Sequence, residues 1–268
     1  MHIKYYDPQD KKIVFFKESA TPEFWDKQWL SYDVKHEIFR GAQKKFIRSI
    51  TEKFLNPPAR ILEGGCGNGQ YVYGLKQWGY DAHGIDYAPK TVELIHSLFP
   101  ELNVLVGDVR ELPYAEGYFD GYWSMGVIEH FYKGYEPIAK EMARVIKSGG
   151  FLFLSIPFMS PLRKLKAQFG LYPLFKADEV DENNFYEFIM DHEIVATYFS
   201  TLGFSLVAIH PYNGAKGLKS EIEPMWLRQI FEKLLNARNP ISRVLSRIVS
   251  LLFGNFSPHA TVLVFQKQ

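Results

Sequence analysis

Apolar positions recur at helical spacing through the first fifth of the chain. Phe24, Trp25, Trp29 and Tyr32 form one such set. A second run, from about Val34 to Leu55, brings Ile38, Phe39, Phe46, Ile47, Ile50 and Phe54 near one helix face. Asn56-Pro57-Pro58 stops that run, because proline lacks the N–H a helix needs and restricts the residue before it. Residues 1–57 contain no glycine-rich turn and read as a helical extension placed as a lid.

From Arg60 the rhythm changes to short apolar runs alternating with helical ones. Ile61-Leu62 leads into a glycine cluster and then a helix ending near Trp78-Gly79. Strands are expected at Ala82–Ile85, Asn103–Val106, Phe119–Ser124 and Phe151–Ile156, with helices starting near Pro89 and spanning Pro137–Ile146. Strand-helix alternation of this kind predicts a doubly wound α/β fold on a mostly parallel sheet with right-handed crossovers. Beyond Pro157 the pattern loosens. Pro161–Phe175 reads as an inserted helix or lid, Ile194–Leu202 as a helix and Phe204–Ile209 as a strand. Two further helices are expected at Pro224–Leu235 and Pro240–Phe253, and a final strand at His259–Phe265. The domain proper is thus residues 58–268, with insertions at about 158–190 and 214–257 forming a substrate-side cap.

The densest chemistry lies in ILEGGCGNGQY, residues 61–71. An apolar strand ends at Glu63, and Gly65, Gly67 and Gly69 alternate before a helix begins. Glycines permit a tight strand-to-helix turn and let a ligand approach the backbone, and the helix start offers free N–H groups. Nicotinamide enzymes use a similar device, but their third small residue would fall on Gln70 here. A diphosphate would also gain nothing from Glu63, whereas a cationic amino group would. Asp86 ends the second strand, where an acid can anchor both ribose hydroxyls. Asp108 ends the third, where a carboxylate can accept from an adenine amino group. Three acids at successive strand ends describe a nucleoside site at the switch point of an open sheet.

The series ILEGGCGNGQY, GIDYAPKTVELI, VGDVRELPYAEGYFDGYWSMGVIEHF and RVIKSGGFLFLSIP resembles the motifs of class I S-adenosylmethionine-dependent methyltransferases. Within them it is most similar to the small-molecule branch that includes quinone-biosynthesis enzymes. The resemblance covers roughly residues 58–158, and more loosely 191–210 and 259–267. It implies a seven-stranded Rossmann-like sheet whose last strand is antiparallel, and an S-adenosylmethionine cofactor leaving as S-adenosylhomocysteine. It further implies Glu63, Gly64, Gly65 and Gly67 beside the methionine part, Asp86 and Tyr87 at the ribose and Asp108-Val109 at the adenine. Met125 and Gly126 would lie beside the cofactor, with Glu129 and His130 at the mouth of the acceptor site.

Methyl transfer from a sulfonium is an in-line displacement in which the protein mainly positions a nucleophile and accepts its proton. Imidazole suits proton acceptance near neutral pH, which nominates His130, and with it Glu129; a structural role at the end of the strand-to-helix loop is the competing reading. Trp25, Trp29 and Tyr32 are candidates to meet the sulfonium by cation–π attraction. Asp191-His192-Glu193 points in different directions on a helix, and the resembled reaction needs no metal, so none is expected. Cys66 is the one cysteine and reads as a packing residue.

Composition narrows the class only slightly. With 47% apolar and 23% charged residues the chain reads as an ordinary globular protein, and its net charge of +1 gives no reason to expect nucleic-acid binding. No apolar run reaches the ~18 residues that span a bilayer, and the polar start lacks a secretory pattern, so a cytoplasmic enzyme is expected. In Pro240–Phe253 an apolar stripe faces away from Arg243 and Arg247. Packing on the domain or on a homodimer partner is its first reading. With Arg163, Lys164 and Lys166, peripheral membrane contact is the second. The reading of the whole is methyl transfer to a small-molecule or lipid-like acceptor. The alternatives are a non-catalytic cofactor-binding regulatory protein and a nicotinamide-dependent oxidoreductase.

Overall fold

A strand covered on both faces must be apolar at every position, and Ile61, Leu62 and Ile85 are fully buried. They lie in the centre of a seven-stranded sheet of order β5-β4-β3-β6-β7-β10-β9 in the computed structural model. The structure describes residues 3–177, 182–222 and 253–268, together with Trp226, Gln229, Ser242, Val244 and Ile248. Strand β3 (Arg60–Gly64) pairs in parallel with β4 (Asp81–Asp86) and β6 (Phe119–Met125). Strand β5 (Asn103–Val106) extends the sheet beyond β4, and β7 (Ile146–Pro157) beyond β6, both in parallel. The last strand, β10 (Ala260–Lys267), runs antiparallel to β7 and to β9 (Phe204–Tyr212), as the resemblance implied.

Helices cover both faces and split the core in two. On one side Ile61, Trp123, Phe153, Val262 and Val264 meet α3 (Lys45–Phe54), α4 (Gln70–Gln77) and α5 (Pro89–Leu98). On the other, Leu62, Tyr122, Leu154, Leu263 and Phe265 meet α6 (Glu136–Val145) and α8 (His192–Thr201). The alternation along β10 sends Val262 and Val264 one way and Leu263 and Phe265 the other, the two-residue period of a strand.

The first residues depart from the helical expectation. Ile3–Asp7 (β1) and Lys12–Phe16 (β2) form an antiparallel hairpin, and β2 pairs with β8 (Phe185–Ile189) to make a separate three-stranded sheet. Ile13, Val14 and Phe16 are buried, so the run KIVFF serves as a strand; helical spacing is confined to residues beyond it. Helices do follow, at Pro22–Leu30 (α1), Val34–Gly41 (α2) and Lys45–Phe54, so the single run expected from Val34 to Leu55 is two helices. Ile146, expected as the end of a helix, instead opens β7, which begins ahead of the strand expected at Phe151. Strand β8 and α9 (Gly214–Glu221) went unread, being short and mixed in polarity. The helices expected at Pro224–Leu235 and Pro240–Phe253 lie almost entirely outside the described residues. No helix among the described residues is long and apolar enough to cross a membrane.

The basic flank expected from Arg163, Lys164 and Lys166 is not a free surface. All three lie in α7 (Pro161–Gln168), where Arg163 is 1% exposed and donates to Glu221 at 2.9 Å and to the carbonyls of Phe158 and His259. Lys166 and Lys4 also bind Glu221, and Lys164 pairs with Asp191 at 2.9 Å. Four separate parts of the chain therefore meet at one carboxylate: β1, α7, α9 and, through Tyr172, the loop after α7. Burial alone would raise the Glu221 carboxyl, but Lys4 and Arg163 outweigh it and hold it far below its ordinary value. A depressed carboxyl contributes stability above its unfolded pKa and loses it only as pH falls through the folded value. Glu221→Gln is therefore expected to cost about 3–5 kcal/mol at neutral pH, the penalty for stranding one member of a buried pair. Urea denaturation of the variant measures it, and the deficit should shrink in acid.

Candidate active site

Parallel strands that end at one edge leave a crevice wherever their connections turn opposite ways. Here that crevice lies over the ends of β3, β4, β5 and β6, a cleft of about 540 Å³ opening to solvent. Its walls include Gly65, Asp86, Tyr87, Asp108, Val109, Met125, Gly126 and His130 from the sequence-predicted set. Gly107, Val127 and Phe131 join them, and α1 contributes Trp25 and Trp29 from above.

The floor is the turn after β3. The amides of Gly65 and Cys66 both donate to the carbonyl of Ile85, and the amide of Gly67 donates to Asp86 Oδ2 at 2.7 Å. At Gly65 φ is +71°, and a Cβ would approach Val127 to 2.5 Å, so only glycine serves. Asp86 Oδ1 also accepts from the Ala88 amide at 2.9 Å, just ahead of α5. The helix-start role and the ligand-facing role thus fall on one carboxylate. Burial raises its proton affinity, which the two amides partly offset.

Asp108 lines the cleft just past the end of β5 and is paired within the chain. Arg110 grips both of its oxygens, at 2.6 and 3.0 Å. Burial works against ionisation, but this guanidinium outweighs it and holds the carboxyl low. Glu63, Gly64 and Gly67 do not line the cleft. Glu63 is 1% exposed beneath the loop and accepts from the Val72 amide at 3.1 Å. Burial pushes its carboxyl well up. Gly67 is covered by the Trp29 indole, which a Cβ there would meet at 2.7 Å. Cys66 is buried, and burial raises its thiol, as befits packing and not a nucleophile.

Helix α1 is fixed over the cleft by its underside. Asp26 Oδ1 accepts from both the amide and the hydroxyl of Thr91 at the start of α5, and Tyr87 donates to the carbonyl of Ala20. Trp25 and Trp29 stack with centroids 5.8 Å apart, and Trp25 meets the His130 ring edge-on at 5.1 Å. Tyr32, the third aromatic candidate, is 49% exposed, takes a hydrogen bond from Gln28 and stands outside the cleft.

At the mouth, Ile128–His130 makes one 3-10 turn after β6. His130 Nδ1 lies 2.6 Å from the carbonyl of Tyr186, so this nitrogen carries the proton and donates it, and Nε2 keeps its lone pair. Burial lowers the His130 pKa to about 4, so the ring is neutral at physiological pH. That weakens the reason for choosing it as a proton acceptor, since a base works best with its pKa near the operating pH. Glu129 behaves oppositely. It is 2% exposed, its Oε2 has no hydrogen-bond partner, and burial raises it well above the ordinary carboxylate range. Glu187 of β8, which sequence reasoning missed, completes a group with both: one potential ligand atom from each of Glu129, His130 and Glu187 lies within 4.8 Å of the others. Its only signal was a carboxylate set among aromatics in FYEFI. Asp191, by contrast, caps α8 through the Glu193 amide and pairs with Lys164.

The family described as "Methyltransferase domain" matches residues 62–154, the stretch from β3 to β7. The chain is 30% identical over 176 residues to the ubiquinone biosynthesis O-methyltransferase of Xanthomonas campestris pv. campestris (strain B100), covering 63% of this chain and 72% of that protein. It is 24% identical over 222 residues to the demethylmenaquinone methyltransferase of Bacillus licheniformis, covering 75% and 95% of the two. In fold it is similar to a SAM dependent methyltransferase from Archaeoglobus fulgidus, with a TM-score of 0.53, 18% identity and coverage of 83% of this chain and 94% of that one. Glycine turn, strand-end acids and kinship agree: this chain belongs to the class I S-adenosylmethionine-dependent methyltransferases, and S-adenosylmethionine is its cofactor.

Proposed function

We propose that the cleft over β3–β6 holds S-adenosylmethionine and that a small-molecule acceptor reaches it past Glu129 and His130. The observation carrying this reading is the convergence of Gly65, Asp86, Asp108, Met125, Gly126 and His130 on one cleft. The lining suits the group. Asp86 accepts one amide per oxygen and retains lone pairs for ribose hydroxyls, and Gly65 keeps the floor free of side chains. Val109 would flank the adenine, and Asp108 would serve it while paired with Arg110. Glu63 acts from behind the loop, at a distance from the amino group. Relatives named for quinone biosynthesis support a small-molecule acceptor.

When bound, the cofactor supplies a methyl group already activated on a sulfonium. The chain must exclude water, align the acceptor and take up a proton. Trp25 and Trp29, held in place through Asp26, serve the first task as a lid and offer a π face to the sulfonium. His130 Nε2 accepts a hydrogen bond from the acceptor and orients it. Glu129 receives the proton, since burial raises its carboxyl's proton affinity above that of an ordinary carboxylate.

Calorimetry tests the cofactor assignment. S-adenosylmethionine and S-adenosylhomocysteine should bind and nicotinamide dinucleotides should not, while Asp86→Ala weakens binding by about 1.5–3 kcal/mol. Unchanged affinity in that variant would remove Asp86 from the site.

The pH profile of kcat/KM separates Glu129 from His130. An ionised Glu129 is required, so activity should fall as pH drops through its raised pKa, above the usual carboxylate range. Glu129→Gln should lower turnover ~10²-fold or more and abolish this acid limb. His130→Ala should keep the limb, because a ring titrating at about 4 does not produce it.

A further inference from the structure

Two carboxylates and a neutral imidazole share a small volume beside the cleft, whose wall His130 forms. Glu129 comes from the turn after β6 and Glu187 from β8, so the pair forms only when the three-stranded sheet docks. Burial raises both, and the charge of Glu187 raises Glu129 further. Glu129 Oε2 is nine-tenths buried and more, without a hydrogen-bond partner. Such an atom calls for a donor or a cation from outside the protein, because a buried unpaired acceptor is costly. Arg163, Lys216, Lys4 and Lys17 act on Glu187 from a distance and favour its ionised form. Lys4 and Arg163 are engaged with Glu221, and Lys17 lies over the Tyr186 ring at 5.3 Å.

We infer that the acceptor is an amine, held as its ammonium between Glu129 and Glu187 and methylated on nitrogen. The inference rests on the acceptor site proposed above. Three acceptors arranged tetrahedrally around one ammonium nitrogen at ~2.8 Å stand about 4.6 Å apart. The spread of the Glu129, His130 and Glu187 atoms, within 4.8 Å, admits that arrangement. The surrounding walls are aromatic: Trp25 and Tyr186 meet the His130 ring at 5.1 and 5.0 Å, and Phe24 meets Tyr186 at 6.0 Å. Rings beside carboxylates suit an organic cation with an apolar body. A hard divalent ion would instead ask for a shell of oxygens and waters. A neutral hydroxyl would leave both acids without a counter-charge, and a phenolate would be repelled by both.

The chemistry balances within these groups. One ammonium N–H breaks and its proton goes to Glu129, forming an O–H bond and freeing the nitrogen lone pair. The N–C bond then forms as the C–S bond breaks, and the positive charge passes from sulfur to nitrogen. Desolvation favours the first step, because it turns a buried ion pair into two neutral groups.

The test titrates the full chain, saturated with S-adenosylhomocysteine, with 2-phenylethylamine and with its isostere 2-phenylethanol. The amine should bind about tenfold tighter or more, the scale of a hydrogen bond to a charged group. Glu187→Gln should erase that preference while leaving S-adenosylhomocysteine affinity unchanged, since Glu187 stands outside the cofactor cleft. Equal affinity for the two probes, or binding of neither, overturns the inference. So does binding of Mn2+ or Mg2+ alone that Glu187→Gln abolishes, which would make this a metal site. Failure of S-adenosylhomocysteine itself to bind would strike the cofactor assignment instead.

Discussion

Three backbone amides of the turn after β3 are bound by the end of β4: two by the Ile85 carbonyl and one by Asp86. Everything at the site depends on this stitching. It satisfies donors that a tight glycine turn would otherwise leave buried and unpaired. It also fixes the Asp86 carboxylate at the strand edge without any loop side chain filling the space above. The same acid accepts from Ala88 ahead of α5, whose first turn in turn anchors Asp26 of α1. Floor, rim and α1 are therefore one hydrogen-bonded unit.

Buried charge is handled in two opposite ways in this molecule. Glu221 is surrounded by Lys4, Arg163, Lys166 and Tyr172, and its ionised form holds together segments that are remote in sequence. Buried Glu129 and half-buried Glu187 lie side by side with a neutral histidine, and desolvation drives their proton affinity up. The first arrangement is complete within the chain and stabilises the fold. In the second, Arg163, Lys216, Lys4 and Lys17 act on Glu187 only from a distance and Glu129 Oε2 has no hydrogen-bond partner, a combination of burial and shifted proton affinity that is common at functional sites.

His130 shows how burial changes chemistry that residue type suggests. An exposed imidazole would titrate near neutrality, but burial under Trp25 and Tyr186 keeps this one neutral, against the opposing pull of the hydrogen bond from Nδ1 to the Tyr186 carbonyl. Its place beside the cleft was readable from SMGVIEHF. Its protonation state came from β8, an element with no clear pattern in the sequence.

The sequence alone determined the parallel sheet, the glycine turn and the three strand-end acids, because each is local. A strand covered on both faces must be apolar, a left-handed turn must be glycine, and acids at strand ends fall on one edge once the strands are parallel. Only the tertiary structure decided what crosses between distant segments. KIVFF became a strand because β8 lay beside it. Arg163 turned inward because Glu221 met it, 58 residues away. Asp108 was taken by Arg110, Trp29 came to rest on Gly67, and Glu187 joined Glu129 and His130. Periodicity reports which face of an element is buried, but not against what, and the chemistry of a buried polar group is set by its partner.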